Sequence, residues 1–213
     1  MVYDKQSPEA ALGAWAEKFV IDRAHSRNWY VLHTAEIGEG ATMVSGPDGR
    51  KVVMPDLQLL DLVSGRHTRF VEVKVKRGAY LYQVGKVART GIDYALWEHY
   101  WRINGSGVPV DLALVHLRWP LRHSEIAPKL LWQTVESLAQ CGPIHFDSPG
   151  FKGGAAVWDV EDFQMLGSLE LPPPDILELM KGIKVNLRAW EAAPKLRLPR
   201  DVPGQGDLFS GET

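Results

Sequence analysis

Asp56, Glu72 and Lys74 have the side-chain types and the spacing to do chemistry together. They lie in two apolar, β-branched runs separated by a short segment that contains a glycine, which is the sequence pattern of a β-hairpin. A three-residue loop at 63–65 places Asp56 directly opposite Glu72, and directly opposite residues share one face of the sheet. Lys74 lies two residues beyond Glu72 and projects to that face, about 7 Å further along. A two-residue loop would put Asp56 opposite Val73 on the other face, so we predict the odd loop.

Two carboxylates and an amine on one face of a largely apolar sheet require a counter-charge, and a divalent cation supplies it. The carboxylates of Asp56 and Glu72, with the main-chain carbonyl of Val73 between them, are hard oxygen ligands of the kind that Mg²⁺ or Mn²⁺ prefers. Lys74 beside such an ion can orient a water molecule or stabilise the charge that builds on a phosphate group. The alternative interpretation is a cluster of surface ion pairs on a polar strand face.

The pattern Pro55-Asp56, a hairpin, then Glu72-Val73-Lys74 resembles the PD-(D/E)XK motif of the restriction-endonuclease-like nuclease superfamily. That superfamily includes Holliday-junction resolvases, phage exonucleases and repair nucleases. The resemblance implies an α/β fold with a mixed central β-sheet flanked by helices, and Mg²⁺- or Mn²⁺-dependent hydrolysis of phosphodiester bonds. It also implies that Asp56, Glu72 and Lys74 are catalytic, with Asp56, Glu72 and the Val73 carbonyl as metal ligands.

The first helix is predicted to begin at Ser7-Pro8 and to end near Ser26, because its apolar residues form one stripe. Many nucleases of the superfamily carry a glutamate on the first helix that completes the metal site. Glu17, which lies off the centre of the stripe, is the matching residue by this resemblance. The alternative is that Glu17 belongs to a solvent-exposed ion pair with a nearby cation such as Lys18.

Hydrophobic periodicity predicts the remaining elements. In chain order they are a strand at 29–34, an exposed loop at 36–50, the hairpin, a long helix at 81–103, a strand at 108–119, a helix at 125–139, short strands at 155–160 and 165–171, and an amphipathic helix at 175–190. This order agrees with a mixed sheet flanked by helices. The histidines are scattered without metal-ligand spacing, so we interpret them as structural or surface residues.

Polar and basic residues cluster just after the predicted catalytic strand. As DNA-binding candidates we take Lys76, Arg77, Gln83, Lys86 and Arg89. A solvated charged face is the alternative. The formal net charge of −2 does not by itself indicate a nucleic-acid partner. That count, however, includes carboxylates that a bound metal would neutralise, and positive charge can be local.

Length and composition predict one folded domain at 1–193 and a flexible tail at 194–213. The 213-residue chain is 45% apolar overall, but its last segment has too little apolar content to pack. A single cysteine, Cys141, excludes an internal disulfide bond and a cysteine-based zinc cluster. With no signal-peptide pattern and no long apolar run, we expect a soluble, cytoplasmic protein without a membrane partner.

The tail contains Gln205-Gly206-Asp207-Leu208-Phe209, which resembles the peptide that bacterial replication and repair proteins use to bind the sliding clamp. In that peptide the glutamine occupies one subsite and the final Leu-Phe pair fills a hydrophobic cleft. Gln205, Asp207, Leu208 and Phe209 are therefore the partner-binding candidates. Gly206 departs from the leucine that is common at the second position, and a tail that docks on its own domain is the alternative.

Together these patterns predict a metal-dependent deoxyribonuclease of DNA repair, recombination or replication, tethered to a sliding clamp. A compact chain without a sequence-reading module favours recognition of DNA structure, such as junctions, flaps, ends or mismatches. Resolvases of the superfamily are often dimers, so a homodimer stays open. Two other functions also stay open: a sequence-specific restriction endonuclease, and a non-catalytic DNA-binding or scaffold protein with the same fold.

Overall fold

The computed structural model describes residues 8–34, 43–46, 48–63, 67–76, 80–81, 87–117, 127–148 and 151–179. The helices in these ranges are α1 (Pro8–His25), α2 (Tyr94–Gly105), α3 (Val135–Cys141) and α4 (Pro174–Leu179). The strands are β1 (Tyr30–His33), β2 (Met43–Ser45), β3 (Lys51–Val53), β4 (Leu57–Asp61), β5 (His67–Lys76), β6 (Tyr80–Leu81), β7 (Ala88–Asp93), β8 (Val110–His116), β9 (Lys129–Thr134), β10 (Ile144–Ser148), β11 (Phe151–Asp159) and β12 (Gln164–Ser168). The predicted tail and its boundary at 193 lie outside these ranges. None of the helices in them combines the length and the apolar character needed to cross a membrane.

A six-stranded sheet in the order β1-β4-β5-β8-β9-β12 forms the centre of the fold. Strands β5 and β8 run parallel and the other neighbours antiparallel, so the sheet is mixed. One face packs against α1 through a core that includes Val71 and Val73. The opposite face packs against α2 and a second sheet through a core that includes Leu112 and Leu114. The predicted mixed central sheet flanked by helices is confirmed.

The second sheet, in the order β10-β11-β7-β6, corrects the prediction of a long helix at 81–103. Only Tyr94–Gly105 is helical in the described part of that segment, and Ala88–Asp93 is a strand paired with β11. A side chain at Gly91 would place its first carbon 2.0 Å from the carbonyl oxygen of Ala156, so β7 and β11 approach more closely than other residues allow. Four consecutive residues of β7, from Arg89 to Ile92, are buried, so the strand shows neither a helical stripe nor an alternation of buried and exposed residues.

The predicted helix at 125–139 is also wrong over Lys129–Thr134, which forms β9. Leu130, Leu131 and Trp132 are consecutive and all buried, because this strand has core on both faces. Helix α3 begins only after Thr134, whose hydroxyl accepts a hydrogen bond from the Ser137 N–H at 3.0 Å.

One further prediction needs correction. The segment 36–50 is not a plain loop, since β2 pairs with β3 in a small antiparallel hairpin. Of the helix predicted at 175–190, the described residues 175–179 are helical in α4, and the rest lies outside the described residues. Strand β10, which pairs with β11, was not predicted at all.

Candidate functional site

The hairpin of β4 and β5 has the register that the odd loop requires. Leu57 pairs with Val71, and the pairing continues without a shift to Asp61 and His67. Extended by one residue beyond Leu57, this register brings Asp56 opposite Glu72. The predicted pairing is confirmed.

Asp56 lies just before β4, where the chain cannot continue the ladder because Pro55 has no N–H. Thr34, at the end of β1, fixes this turn: its N–H donates to the Asp56 carbonyl at 3.0 Å, and its hydroxyl donates to the Pro55 carbonyl. The Asp56 carboxylate in turn accepts a hydrogen bond from the Val73 N–H at 2.9 Å through Oδ2. Strand β1 thus aims the aspartate at β5, a role for Thr34 that no sequence pattern indicated.

The carbonyl of Val73 faces the same edge of β5 as Asp56. The N–H of Phe70 and the carbonyl of Lys76 both bond to residues flanking β8 on the other side. Because successive residues of a strand alternate between its two neighbours, the Val73 N–H and carbonyl point toward β4. The pairing of β4 with β5 ends at Leu57 and Val71, so this carbonyl lies beyond the ladder.

Glu72 and Lys74 share the face of β5 that looks toward α2. The Lys74 ammonium forms an ion pair with Glu72 Oε1 and lies 3.8 Å from Asp56 Oδ2. Glu72 is only 1% exposed, and this burial raises the pKa of its carboxyl to about 7; Lys74 opposes the rise and Asp56 adds to it. The Lys74 side chain is 35% exposed, so the cluster opens to solvent on the lysine side.

Glu17 of α1 approaches the same cluster. Partial burial raises the pKa of its carboxyl, and the charge of Asp56 raises it further, whereas His33 and Lys74 lower it. Its Oε2 atom lies 3.5 Å from Nδ1 of His33 on β1. The structure therefore brings Glu17 to the hairpin residues, together with a histidine that sequence reasoning had assigned no role.

Tyr100 is a second residue of the cluster that the sequence did not reveal. It lies in α2 and is only 1% exposed. Burial first, and then the charge of Glu72, raise the pKa of Tyr100 well above 10. A buried tyrosine hydroxyl needs a partner, but the partner is decided by how α2 docks on the sheet.

The DNA-binding candidates fall into different settings. Lys76 is half-buried on the same face as Lys74, and its pKa is lowered to about 8, mainly by burial and then by Lys74. The prediction that Arg89 binds DNA needs correction, because this side chain is buried. Its Nε donates a hydrogen bond to Asp159 Oδ1 at 2.7 Å, so Arg89 holds β7 to β11 instead of facing a substrate. Outside the described residues lie Arg77, Gln83, Lys86 and the tail candidates Gln205, Asp207, Leu208 and Phe209.

The oxygen atoms of this cluster could bind a divalent cation only in an open arrangement. Within the described ranges, no three His, Cys, Asp or Glu side chains converge closely enough to enclose a metal ion. Mg²⁺ commonly binds through only one or two carboxylates and fills its other positions with water and phosphate oxygens. Asp56, Glu72 and the Val73 carbonyl are a donor set of this open kind. The residues present therefore fit an ion that is bound together with substrate.

Comparison with known proteins adds little to this geometry. No family model matches the chain, and no curated protein matches it. Among solved structures, the chain is similar to Hjc, a Holliday junction resolvase from the hyperthermophilic archaeon Archaeoglobus fulgidus, with 14% identity over 71% of this chain and 91% of that chain and a TM-score of 0.41. A likeness this distant assigns no function.

Proposed function

We propose that the protein is a Mg²⁺- or Mn²⁺-dependent nuclease that hydrolyses phosphodiester bonds in DNA. The observation that supports this most is the charge of the cluster. The Lys74 ammonium contacts the carboxylates of Asp56 and Glu72 at the point where the β4–β5 ladder ends, and the Glu17 carboxylate interacts electrostatically with Asp56 and Lys74. An excess of negative charge beside buried apolar strands is unfavourable unless a cation offsets it.

Asp56, Glu72 and the Val73 carbonyl would hold the ion, with Glu17 as the fourth donor. When bound there, a divalent cation lowers the pKa of water and polarises the phosphoryl group. The hydrogen bond from the Val73 N–H keeps Asp56 oriented toward β5, and Lys74 holds Glu72 from the solvent side. These contacts fix the donors before substrate arrives, which avoids a cost of ordering them during the reaction.

Lys74 has a distinct role because it carries the only ammonium in contact with both hairpin carboxylates among the described residues. It is partly exposed and has a flexible stem, so the ammonium can shift from the carboxylates to a neighbouring oxygen. In the proposed reaction it donates hydrogen bonds to the attacking water or to the phosphate oxygens. Either contact stabilises charge that grows only in the transition state.

DNA structure, rather than a long sequence, is the proposed target: a junction, flap, end or mismatch. Lys76 follows Lys74 on the same face and supplies a positive charge suited to a phosphate, which carries no sequence information. A panel of branched, nicked, single-stranded and plain duplex DNA tests this directly. Cleavage of plain duplex at one defined sequence would contradict it and favour a restriction enzyme.

We also propose that Gln205, Asp207, Leu208 and Phe209 bind a bacterial sliding clamp. A tethered nuclease gains local concentration at DNA without any new contact at its active site. The test titrates a peptide that contains these residues with a bacterial clamp, and Leu208→Ala with Phe209→Ala is the control. Equal binding by wild-type and doubly substituted peptides would reject the proposal.

The nuclease activity is tested by cleavage of the DNA panel with Mn²⁺, comparing wild type with Asp56→Ala and Lys74→Ala. Matched controls exist on α1, where Lys18 and Asp22 form an exposed ion pair. Lys18→Ala and Asp22→Ala remove the same charges without touching the cluster. We expect cleavage to be lost in Asp56→Ala, strongly slowed in Lys74→Ala and kept in the two controls. Binding of DNA without any cleavage by wild type would instead support the non-catalytic alternative.

A further inference from the structure

Thr34, the residue that follows β1, is bonded to both peptide units that flank the Cα atom of Asp56. Its hydroxyl donates a hydrogen bond to the carbonyl of Pro55, and its N–H donates one to the carbonyl of Asp56 at 3.0 Å. Peptide units are planar, so the backbone of Asp56 has only two soft dihedral angles, and holding the unit on either side restrains both. Thr34 is only 5% exposed, so water competes little for these bonds.

Strand β5 fixes the Asp56 side chain in turn. The Oδ2 atom accepts a hydrogen bond from the Val73 N–H at 2.9 Å. A shift of the Asp56 backbone by about 1 Å would break a bond of this length. The position of this carboxylate therefore depends on Thr34 as well as on the hairpin that contains the aspartate.

The residue before Thr34 contacts the carboxylate of Glu17. His33 pairs with Leu57, so its side chain lies on the face of the central sheet that packs against α1. Its Nδ1 atom lies 3.5 Å from Oε2 of Glu17, and both side chains are partly exposed. Two consecutive residues at the end of β1 thus contact two carboxylate residues that come from different elements.

We propose that His33 and Thr34 are positioning residues, which set the placement of Glu17 and Asp56 relative to each other for a divalent cation. This inference rests on the proposed function, since it takes both carboxylates to be metal ligands. Groups that hold a metal ligand from behind fix its orientation, and removing them typically weakens metal binding by about 10- to 100-fold. The end of β1 has this part although neither of its two side chains is proposed to touch the ion.

The first test measures Mn²⁺ binding to the full chain by calorimetry, without DNA, for wild type, Thr34→Val and Thr34→Ser. Valine keeps the shape of threonine without its hydroxyl, whereas serine keeps the hydroxyl. The control is Thr134→Val at the end of β9, two strands away from β5, which removes a hydroxyl that accepts a hydrogen bond from the Ser137 N–H at 3.0 Å. Circular dichroism establishes that each variant is folded at the titration temperature.

We expect Thr34→Val to bind Mn²⁺ about tenfold more weakly, at the lower end of the usual range because the N–H bond to Asp56 is kept. Thr34→Ser and Thr134→Val should bind it like wild type. A merely structural threonine would lower the melting temperature of Thr34→Val, as in Thr134→Val, and leave the affinity of the folded protein unchanged. That result would overturn the inference alone.

The second test combines His33→Ala with Glu17→Ala, and it applies even if Thr34→Val does not fold. Each single variant should bind Mn²⁺ about tenfold more weakly, and the double variant should bind it no more weakly than Glu17→Ala, because His33 acts through Glu17. The control is His25→Ala at an exposed position of α1, which should bind like wild type.

Wild-type affinity in His33→Ala, or a further loss of affinity in the double variant, would show that His33 does not act through Glu17 and would overturn the inference. Absence of Mn²⁺ binding by wild type would overturn the proposed function, and the inference with it.

Discussion

The two faces of β5 carry two charged clusters of opposite character. On the α1 face, Arg69 and Asp111 form a fully enclosed ion pair, and the Trp132 indole also donates to Asp111 Oδ2 at 3.1 Å. On the α2 face, near the end of the ladder, Glu72 and Lys74 meet Asp56 in a cluster that is open to solvent on one side.

Charge balance separates the two clusters. Arg69 and Asp111 match one cation with one anion, so the pair is neutral without a further ion. The hairpin cluster is not matched one to one, because Lys74 contacts both Asp56 and Glu72. Glu17 adds a third carboxylate, and Lys76 lies next on the same face of β5. We infer that the first cluster serves folding and the second serves a ligand, although both combine acidic and basic side chains and share β5.

Breaking the enclosed pair should have the largest effect, and it should fall on stability. Asp111→Ala leaves the Arg69 guanidinium buried without its partner, which should lower the free energy of unfolding by about 3–5 kcal/mol. Urea denaturation measures the change. Replacing both residues together, as Arg69→Met with Asp111→Leu, should recover most of the loss. A change in Asp111→Ala no larger than that of a surface substitution would show that this pair does not support the fold.

Removing the lysine of the open cluster should mainly affect catalysis. Lys74→Ala should reduce the rate of DNA cleavage by about 10²- to 10³-fold, the usual effect of losing one donor to transition-state charge. Single-turnover cleavage with saturating Mn²⁺ isolates this step. Cleavage by this variant at the wild-type rate would show that Lys74 has no part in the reaction.

Glu72 makes the open cluster sensitive to pH. Its pKa is raised to about 7 in the folded protein from an ordinary value of 4.5, so the folded state keeps this proton longer than the unfolded state. In metal-free protein its contribution to stability is therefore full below pH 4.5 and is lost as pH rises toward 7, by at most about 3 kcal/mol. The difference in unfolding free energy between wild type and Glu72→Gln, followed from acid to neutral pH, isolates this term. If this difference did not vary with pH, Glu72 would not be a buried carboxyl that ionises in this range.

Glu17 should have the smallest effect of these residues, because it approaches the cluster from another element and is partly exposed. Glu17→Gln keeps its size and removes its charge, and should weaken Mn²⁺ binding by about tenfold, as expected for a supporting ligand. Calorimetric titration measures this, with Glu9→Gln on the same helix as the control. An unchanged affinity would restrict the donor set to the hairpin.

The contrast between the clusters also explains what the sequence could reveal. The grouping of Asp56, Glu72 and Lys74 was predictable because side chains alternate between the two faces of a strand. The length of the hairpin loop then decides which residues lie opposite each other. Thr34 and Tyr100 were not, since their partners depend on where β1 and α2 dock. The helix predicted at 81–103 failed for a related reason: four consecutive residues of β7, from Arg89 to Ile92, are buried, so this strand has no alternation that its sequence could show.

The most direct test of a metal site in the open cluster is Mn²⁺ binding to the full chain, measured by calorimetry. The proteins compared are wild type, Asp56→Asn and Asp22→Asn. Asp22 is an exposed aspartate paired with Lys18, so its substitution matches the loss of charge far from the hairpin. We predict that wild type and Asp22→Asn bind Mn²⁺ alike and that Asp56→Asn does not bind it. Wild-type affinity in Asp56→Asn, or no binding by wild type, would contradict a metal site on this hairpin.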